Sequence, residues 1–368
     1  MVACIVFNWR IWLYCAFSIA VCGYCFLHPI PDDFDRYVYE ALVRGRSESV
    51  QQIYPGLKHA NPRVEQSSVL DSAEHLGQLE PLYAIRPLYV QILFEVNRWV
   101  PIQKSINFVS AASLFGIACV LVNWTETPLY CALFLCWPTI LTVGRMGTPD
   151  ALSAFVVVAG FWLITRNKIA HGILLLLTSI WVRTDNLLIL ISVAGMLFLL
   201  RKVPGLYCLI LAGLGCGSVF VINHFAGNYG WRVLFRYSFV AGKYPAHVSP
   251  QLTLREYVMA FVHGFVPIFP QLAPWILVGM IVWKIGWSVR PLLLSTLAAS
   301  AAHFMLFPSG EVRYFAWTFS LLAAIFVREV EKVAPRAILV EISRMQNAPS
   351  CGERVIQETD RIAQPLRA

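Results

Sequence analysis

Residues 150–200 read DALSAFVVVAGFWLIT-RNK-IAHGILLLLTSIWV-RTD-NLLILISVAGMLFLL, three apolar runs divided by two three-residue charged gaps. Gaps this short can join only antiparallel neighbours. The runs carry no charge beyond Asp150 at the first position, so each suits a helix buried in a bilayer or in a bundle. The first gap is purely basic and the second carries one of each sign. Basic residues collect on the cytoplasmic side of membranes, so Arg166–Lys168 is predicted inside and Arg183–Asp185 outside.

Working outward, similar runs cover Arg10–Leu27, Ser105–Val122, Pro128–Val143, Pro204–Ile222, Leu272–Trp287, Pro291–Phe307 and Tyr314–Val327, which makes ten spans. Two segments are mixed. Arg86–Val100 is interrupted by Glu95, Asn97 and Arg98, and Leu254–Pro270 holds Arg255, Glu256 and His263. Both suit helices lying along the interface. Laying them flat puts Arg10, Arg201, Lys202, Lys284, Arg290, Arg328 and Lys332 inside. The predicted fold is an all-α polytopic membrane bundle of about ten transmembrane helices over residues 1–328. Interfacial helices are expected in the first outer loop (28–104) and the fourth (223–271). A cytoplasmic tail, partly disordered, is expected over 329–368.

Composition agrees: of 368 residues 58% are hydrophobic and only 14% charged, which a soluble domain of this size does not show. The net charge of +8 is accounted for by the inner loops and an outer anion site, and calls for no nucleic acid. The ten cysteines lie mostly in apolar runs, where they pack as small core residues. Cys22-Gly-Tyr-Cys25 has redox spacing but falls inside a span. The first span lacks a small-residue cleavage site and reads as a retained anchor. No zinc, Walker, Gly-x-Gly-x-x-Gly or Gly-x-Ser-x-Gly pattern occurs.

Each outer gap pairs arginine with carboxylate: Arg145 with Asp150, Arg183 with Asp185, Glu311 with Arg313 and Tyr314. Pro31-Asp32-Asp33-Phe34-Asp35-Arg36-Tyr37 follows the first span. One carboxylate there could cap a helix, but three in four residues exceed that need, and a catalytic or metal role fits at least one. Arg86 opens its segment as Arg-Pro-Leu-Tyr, either gripping a phosphate through its planar fork or anchoring to headgroups. Asp150 caps the helix after Pro149, serves the site, or does both. Arg183 and Asp185 are as readable as a structural ion pair as a functional one. Arg232, Arg236, Tyr237, Lys243 and His247 could shape an acceptor pocket. His263 and His303 read as packing or hydrogen-bonding residues.

In this order the parts resemble the GT-C superfamily of membrane glycosyltransferases, in the branch of protein O-mannosyltransferases and the lipid A aminoarabinose transferase. The likeness rests on Asp32-Asp33 with Tyr37 and Ala41, Arg86-Pro87-Leu88-Tyr89, the turn Arg145–Asp150 ending Pro-Asp, and Glu311-Val-Arg313-Tyr314. It departs in its single proline after Arg86, where many relatives have lysine, and in lacking a large soluble C-terminal domain. The resemblance implies a polyprenyl-phosphate-linked sugar as donor and a glycan, lipid or protein as acceptor. It implies Asp33 as base, with Asp32 and Asp35 as close substitutes. Arg86 and Arg313 would hold the phosphate. Asp150 would place the acceptor or share an optional Mg or Mn ion with Asp33; no cofactor is obligatory. Direct displacement would invert the anomeric carbon. The compactness of the chain favours the bacterial inner membrane with the site facing the periplasm, while the endoplasmic reticulum would produce the same topology. A lipid-linked glycan polymerase or ligase is the alternative; it would lean on Arg232 and Arg236. A transporter or flippase would need midplane charge or a repeat, neither of which the sequence carries.

Overall fold

The structure, a computed structural model, describes residues 9–31, 33–60, 70–125, 128–240, 242 and 244–346. Asp32, Lys243 and the tail from 347 lie outside the described residues. Among the described residues there are sixteen α-helices and no strand. In chain order they are α1 (Trp9–Leu27), α2 (Asp35–Arg44), α3 (Val50–Ala60), α4 (Ala73–Ala84), α5 (Pro87–Asn97), α6 (Ile102–Trp124), α7 (Pro128–Leu135) and α8 (Pro138–Arg145). There follow α9 (Asp150–Thr165), α10 (Ile169–Val182), α11 (Leu187–Leu199), α12 (Gly205–Ala226), α13 (Trp231–Phe239), α14 (Leu254–Ile285), α15 (Arg290–Leu306) and α16 (Ala316–Gln346).

Five helices are long and apolar enough to cross a membrane: α1, α6, α12, α14 and α15, the last taken with the turn before it. A sixth span results if α8 and α9, bent by 118° at their junction, count as one. The protein is therefore a helical membrane protein with fewer full-length spans than ten apolar runs suggested. The shortfall has local causes. Pro128–Val143 is split because Trp137 precedes Pro138 and takes an extended conformation (ψ 132°), which ends α7. The 14 residues of α10 are short of the roughly 20 that a bilayer needs. α16 runs on through Arg328, Glu329, Glu331 and Lys332.

The predicted flat helix Leu254–Pro270 is corrected: it is continuous with the following span as the 32-residue α14. Its charges sit at the start, where Thr253 and Glu256 form a reciprocal capping box that satisfies the first free N–H groups. Pro267, Pro270 and Pro274 lie inside the helix without ending it. Arg86–Val100 is the short α5, eleven residues beginning at Pro87.

The two basic gaps close in the same way. Asn167 and Arg201 take left-handed conformations (φ 61° and 54°). Behind them Lys168 N–H bonds Leu163 and Lys202 N–H bonds Leu197, each at 2.9 Å, which satisfies the last carbonyls of α9 and α11. α9 then packs on α10 at a glycine pair, where a Cβ on Gly172 would stand 2.6 Å from the Gly160 carbonyl oxygen. Around this hairpin, α6 and α16 contact α9, α15 and α12 contact α11, and α14 contacts α16. Phe161, Leu176, Ile180, Val193 and Phe319 are among the most buried side chains of this core. α2, α3 and α4 build a second, smaller core from Tyr37, Ile53, Leu57, Leu76 and Leu79, against which Leu234 and Tyr237 of α13 pack.

At one point the backbone of α14 meets the α15–α16 turn. A Cβ on Gly264 would collide with the Pro308 carbonyl oxygen, so only glycine permits the contact. The turn held there carries Ser309, Gly310, Glu311 and Arg313.

Candidate functional site

A cavity of about 840 Å³ lies where α2 begins and where α4–α5, α10–α11 and α15–α16 turn. Its wall includes Asp35, Arg86, Arg183, Asp185, Glu311, Arg313 and Tyr314, seven residues drawn from four separate parts of the sequence. Three guanidiniums on one wall repel one another unless carboxylates or a bound anion intervene.

Two of the three are neutralised within the protein. Arg183 donates from Nε and Nη2 to the two oxygens of Asp185, at 3.1 and 2.8 Å, and its Nη1 contacts Asp150 Oδ1. Arg313 donates from Nη1 to Asp35 Oδ2 at 3.0 Å, pairs with Glu311, and lies 3.9 Å from Asp150 Oδ2. Tyr314 is shared between them, with Arg183 and Arg313 at 4.9 and 5.1 Å from its ring. Arg86 differs. It reaches the Leu82 carbonyl at 3.4 Å and sits 5.2 Å from the Tyr83 ring and 5.9 Å from that of Tyr39. It has no carboxylate partner among the described residues.

The acidic cluster divides. Asp35 heads α2 and faces the cavity, accepting from Tyr83 Oη at 2.5 Å as well as from Arg313. Asp33, 5% exposed, is not on the wall; its Oδ2 accepts the Gly147 N–H in the α8–α9 turn. Burial, reinforced by Asp35, pushes its carboxyl up to about 6 against the pull of Gly147, Arg313 and Arg36. Asp185 goes the other way. Burial raises it, but Arg183 and His303 outweigh that and hold it well below the usual carboxylate range. Asp150, 4% exposed, lies beneath the cavity with Oδ1 on Arg183 and Oδ2 accepting from Thr148 at 2.7 Å. A cation shared by Asp33 and Asp150 would have to displace a guanidinium. Among the described residues no group of three or more His, Cys, Asp or Glu is placed to hold a metal.

Three expected ligands stand elsewhere. Arg145 turns back to the end of α1, donating to the His28 carbonyl at 2.6 Å beside the Tyr24 ring. Arg232 is exposed on α13, and Arg236 is tied to Glu256 at 2.7 Å. Neither lines the cavity. Their spacing in the fourth loop gave no indication of which helix face they occupy. Asp32 lies outside the described residues.

The sequence reading missed His303 and Tyr83 as wall residues. Asp185 Oδ2 lies 3.0 Å from His303 Nδ1. The available signal was position: His303 is in the last turn of α15, directly before the charged gap. A second cavity of about 580 Å³ lies alongside, bounded almost wholly by apolar side chains of α14, α15 and α16, among them Trp275, Met280, Leu297 and Phe319. Phe304 and Phe315 line it, and their chain neighbours His303 and Tyr314 line the charged one.

Comparison with known proteins gives no match to a family model, a curated protein or a solved structure.

Proposed function

We propose that this protein is a membrane glycosyltransferase of the GT-C type, moving a sugar from a polyprenyl-phosphate donor to an acceptor hydroxyl. The observation that carries the reading is Arg86, a guanidinium without a carboxylate partner on the wall of a cavity that also holds Arg183 and Arg313. An uncompensated cation in a part-buried site favours a bound anion, and a planar guanidinium fits phosphate oxygens in pairs. The adjoining apolar cavity supports a lipid-linked donor, since it can take isoprene units beside the phosphate.

In this reaction the acceptor oxygen attacks the anomeric carbon as the bond to phosphate breaks, inverting the configuration. Arg86 and Arg313 stabilise the charge that grows on the leaving phosphate. Asp35, Asp185, Glu311 and His303 are the wall groups able to take an acceptor proton, while Asp33 stays outside the wall. The further expectations belong with this reading: ten crossings counting short helices, an outer-face site, and a bacterial inner-membrane location.

The test is direct. Purified protein is incubated with radiolabelled decaprenyl-phosphate donors carrying mannose, glucose or arabinose, with total membrane lipid and glycan extract as acceptor. Transfer from at least one donor is expected. No transfer and no binding of decaprenyl phosphate would end the proposal.

A further inference from the structure

His303 is 5% exposed, yet its ring lines the charged cavity, with the rings of Phe307 and Tyr314 each 6.0 Å away and Phe315 edge-on at 5.6 Å. A carboxylate only accepts, so the 3.0 Å contact to Asp185 places a proton on Nδ1, and in the neutral ring the lone pair is then on Nε2. Nε2 is buried and has no hydrogen-bond partner among the described residues. A buried polar atom without a partner is costly, which makes a site for a ligand group the economical explanation.

The carboxylates around it are already committed. Asp185 is held by both Arg183 nitrogens, Asp150 by Arg183 and Thr148, and Asp35 by Arg313 and Tyr83, while Glu311 pairs with Arg313. A carboxylate gripped by a guanidinium is a poor base, because the pairing favours its charged form. The imidazole is arranged in the opposite way: oriented by a carboxylate on one nitrogen, with the other unpartnered among the described residues. That is the logic of a carboxylate-oriented general base.

We propose that His303 is the catalytic base of this site, an assignment that rests on the glycosyl-transfer reading above. His303 Nε2 takes the proton of the acceptor hydroxyl, whose oxygen pair forms the new bond to the anomeric carbon. The bond from that carbon to the phosphate oxygen breaks, and its electron pair leaves on the phosphate held by Arg86 and Arg313. Asp185 stabilises the imidazolium until the proton passes to water. Enclosure by Phe307, Phe315 and Tyr314 keeps bulk water from the nitrogen before the acceptor seats.

The experiment compares wild type with His303→Ala and His303→Asn, the latter keeping an N–H donor for Asp185. Release of labelled sugar from the decaprenyl-phosphate donors and binding of decaprenyl phosphate are measured separately. The expected result is a loss of turnover of about 10²–10⁴-fold in both variants with binding unchanged, and recovery of His303→Ala by added imidazole. Should His303→Ala fail to fold, His303→Asn alone decides by the same split between turnover and binding. Wild-type turnover in a folded variant overturns the assignment and leaves the glycosyl-transfer reading standing. Joint loss of binding and turnover without imidazole recovery also overturns it, making His303 a phosphate ligand or a prop. A wild-type protein that neither binds nor turns over any donor overturns both.

Discussion

Asp185 accepts from Arg183 side by side, at 3.1 Å from Nε and 2.8 Å from Nη2, although the two are only two positions apart in the chain. The same guanidinium also reaches Asp150 at the head of α9. One planar fork thus fixes two carboxylates from different helix ends. A lysine has one point of charge and cannot hold both. Arg183→Lys is expected to lower stability by about 3 kcal/mol, since it leaves a buried carboxylate short of its partner. Denaturant or thermal unfolding in detergent measures this; an unchanged midpoint would show that the fork bears no weight.

Arg86 should behave differently. Its neighbours are a carbonyl and two aromatic rings, so Arg86→Ala costs the fold about 1 kcal/mol or less. Affinity for decaprenyl phosphate should fall roughly 10–100-fold, in line with one or two charge-assisted hydrogen bonds lost. Isothermal titration with decaprenyl phosphate against undecorated decaprenol separates phosphate recognition from tail binding. Equal affinity of variant and wild type would remove Arg86 from the anion site.

The two aspartates that shift in opposite directions predict a two-part pH response. Asp33 is raised to about 6, so between pH 4 and 6 the folded protein keeps a proton that the unfolded chain has lost. Stability therefore falls as pH rises through that window, by up to about 3 kcal/mol. Asp185 is held low, so its contribution is complete above about pH 4 and is lost only as pH falls further. Asp33→Asn should flatten the response between pH 4 and 6 and leave the acid side in place. Melting temperatures from pH 3 to 8 test this, and a variant profile parallel to wild type would refute the role given to Asp33.

Two glycines on α14 give a paired steric test. Gly264→Ala drives a methyl into the Pro308 carbonyl, displacing either the helix or the turn bearing Glu311 and Arg313. Lower stability, by 1–3 kcal/mol on the scale of overpacking, and weaker phosphate binding are both expected, at about that size. Gly279→Ala meets nothing within 4 Å and should stabilise the helix by about 0.5–1 kcal/mol. Similar melting shifts for the two variants would contradict the close contact at Gly264.

The helical membrane class was legible in the sequence because apolar runs such as 187–199 leave no other solution. Seven of the charged and aromatic gap residues share one cavity because short gaps on one side of a bundle have little freedom to diverge. Side-chain direction was not legible. Asp33 and Asp35 are two residues apart, yet Phe34 ends the loop between them and α2 starts at Asp35, so one turns to Gly147 and the other to Arg313. Arg145 is captured by the end of α1, a partner more than a hundred positions away. At Pro138 one residue's steric restriction breaks a run that hydropathy alone reads as continuous, so two short helices stand where one unbroken span was expected. In α14 the opposite happened: Arg255, Glu256 and His263 suggested a separate flat helix, but Arg255 and Glu256 fall in the capped first turn and the helix runs on past Pro270.

The bridge between Asp35 and Arg313 joins residues 278 positions apart. A ribosome adding roughly 5–20 residues per second needs on the order of 15–60 s to cover that interval. During that time Asp35 has only Tyr83, made 48 residues later, to hold it, while Asp33 waits 114 residues for Gly147. Asp35 therefore stands without its guanidinium partner beside the membrane until the turn before the final helix is made.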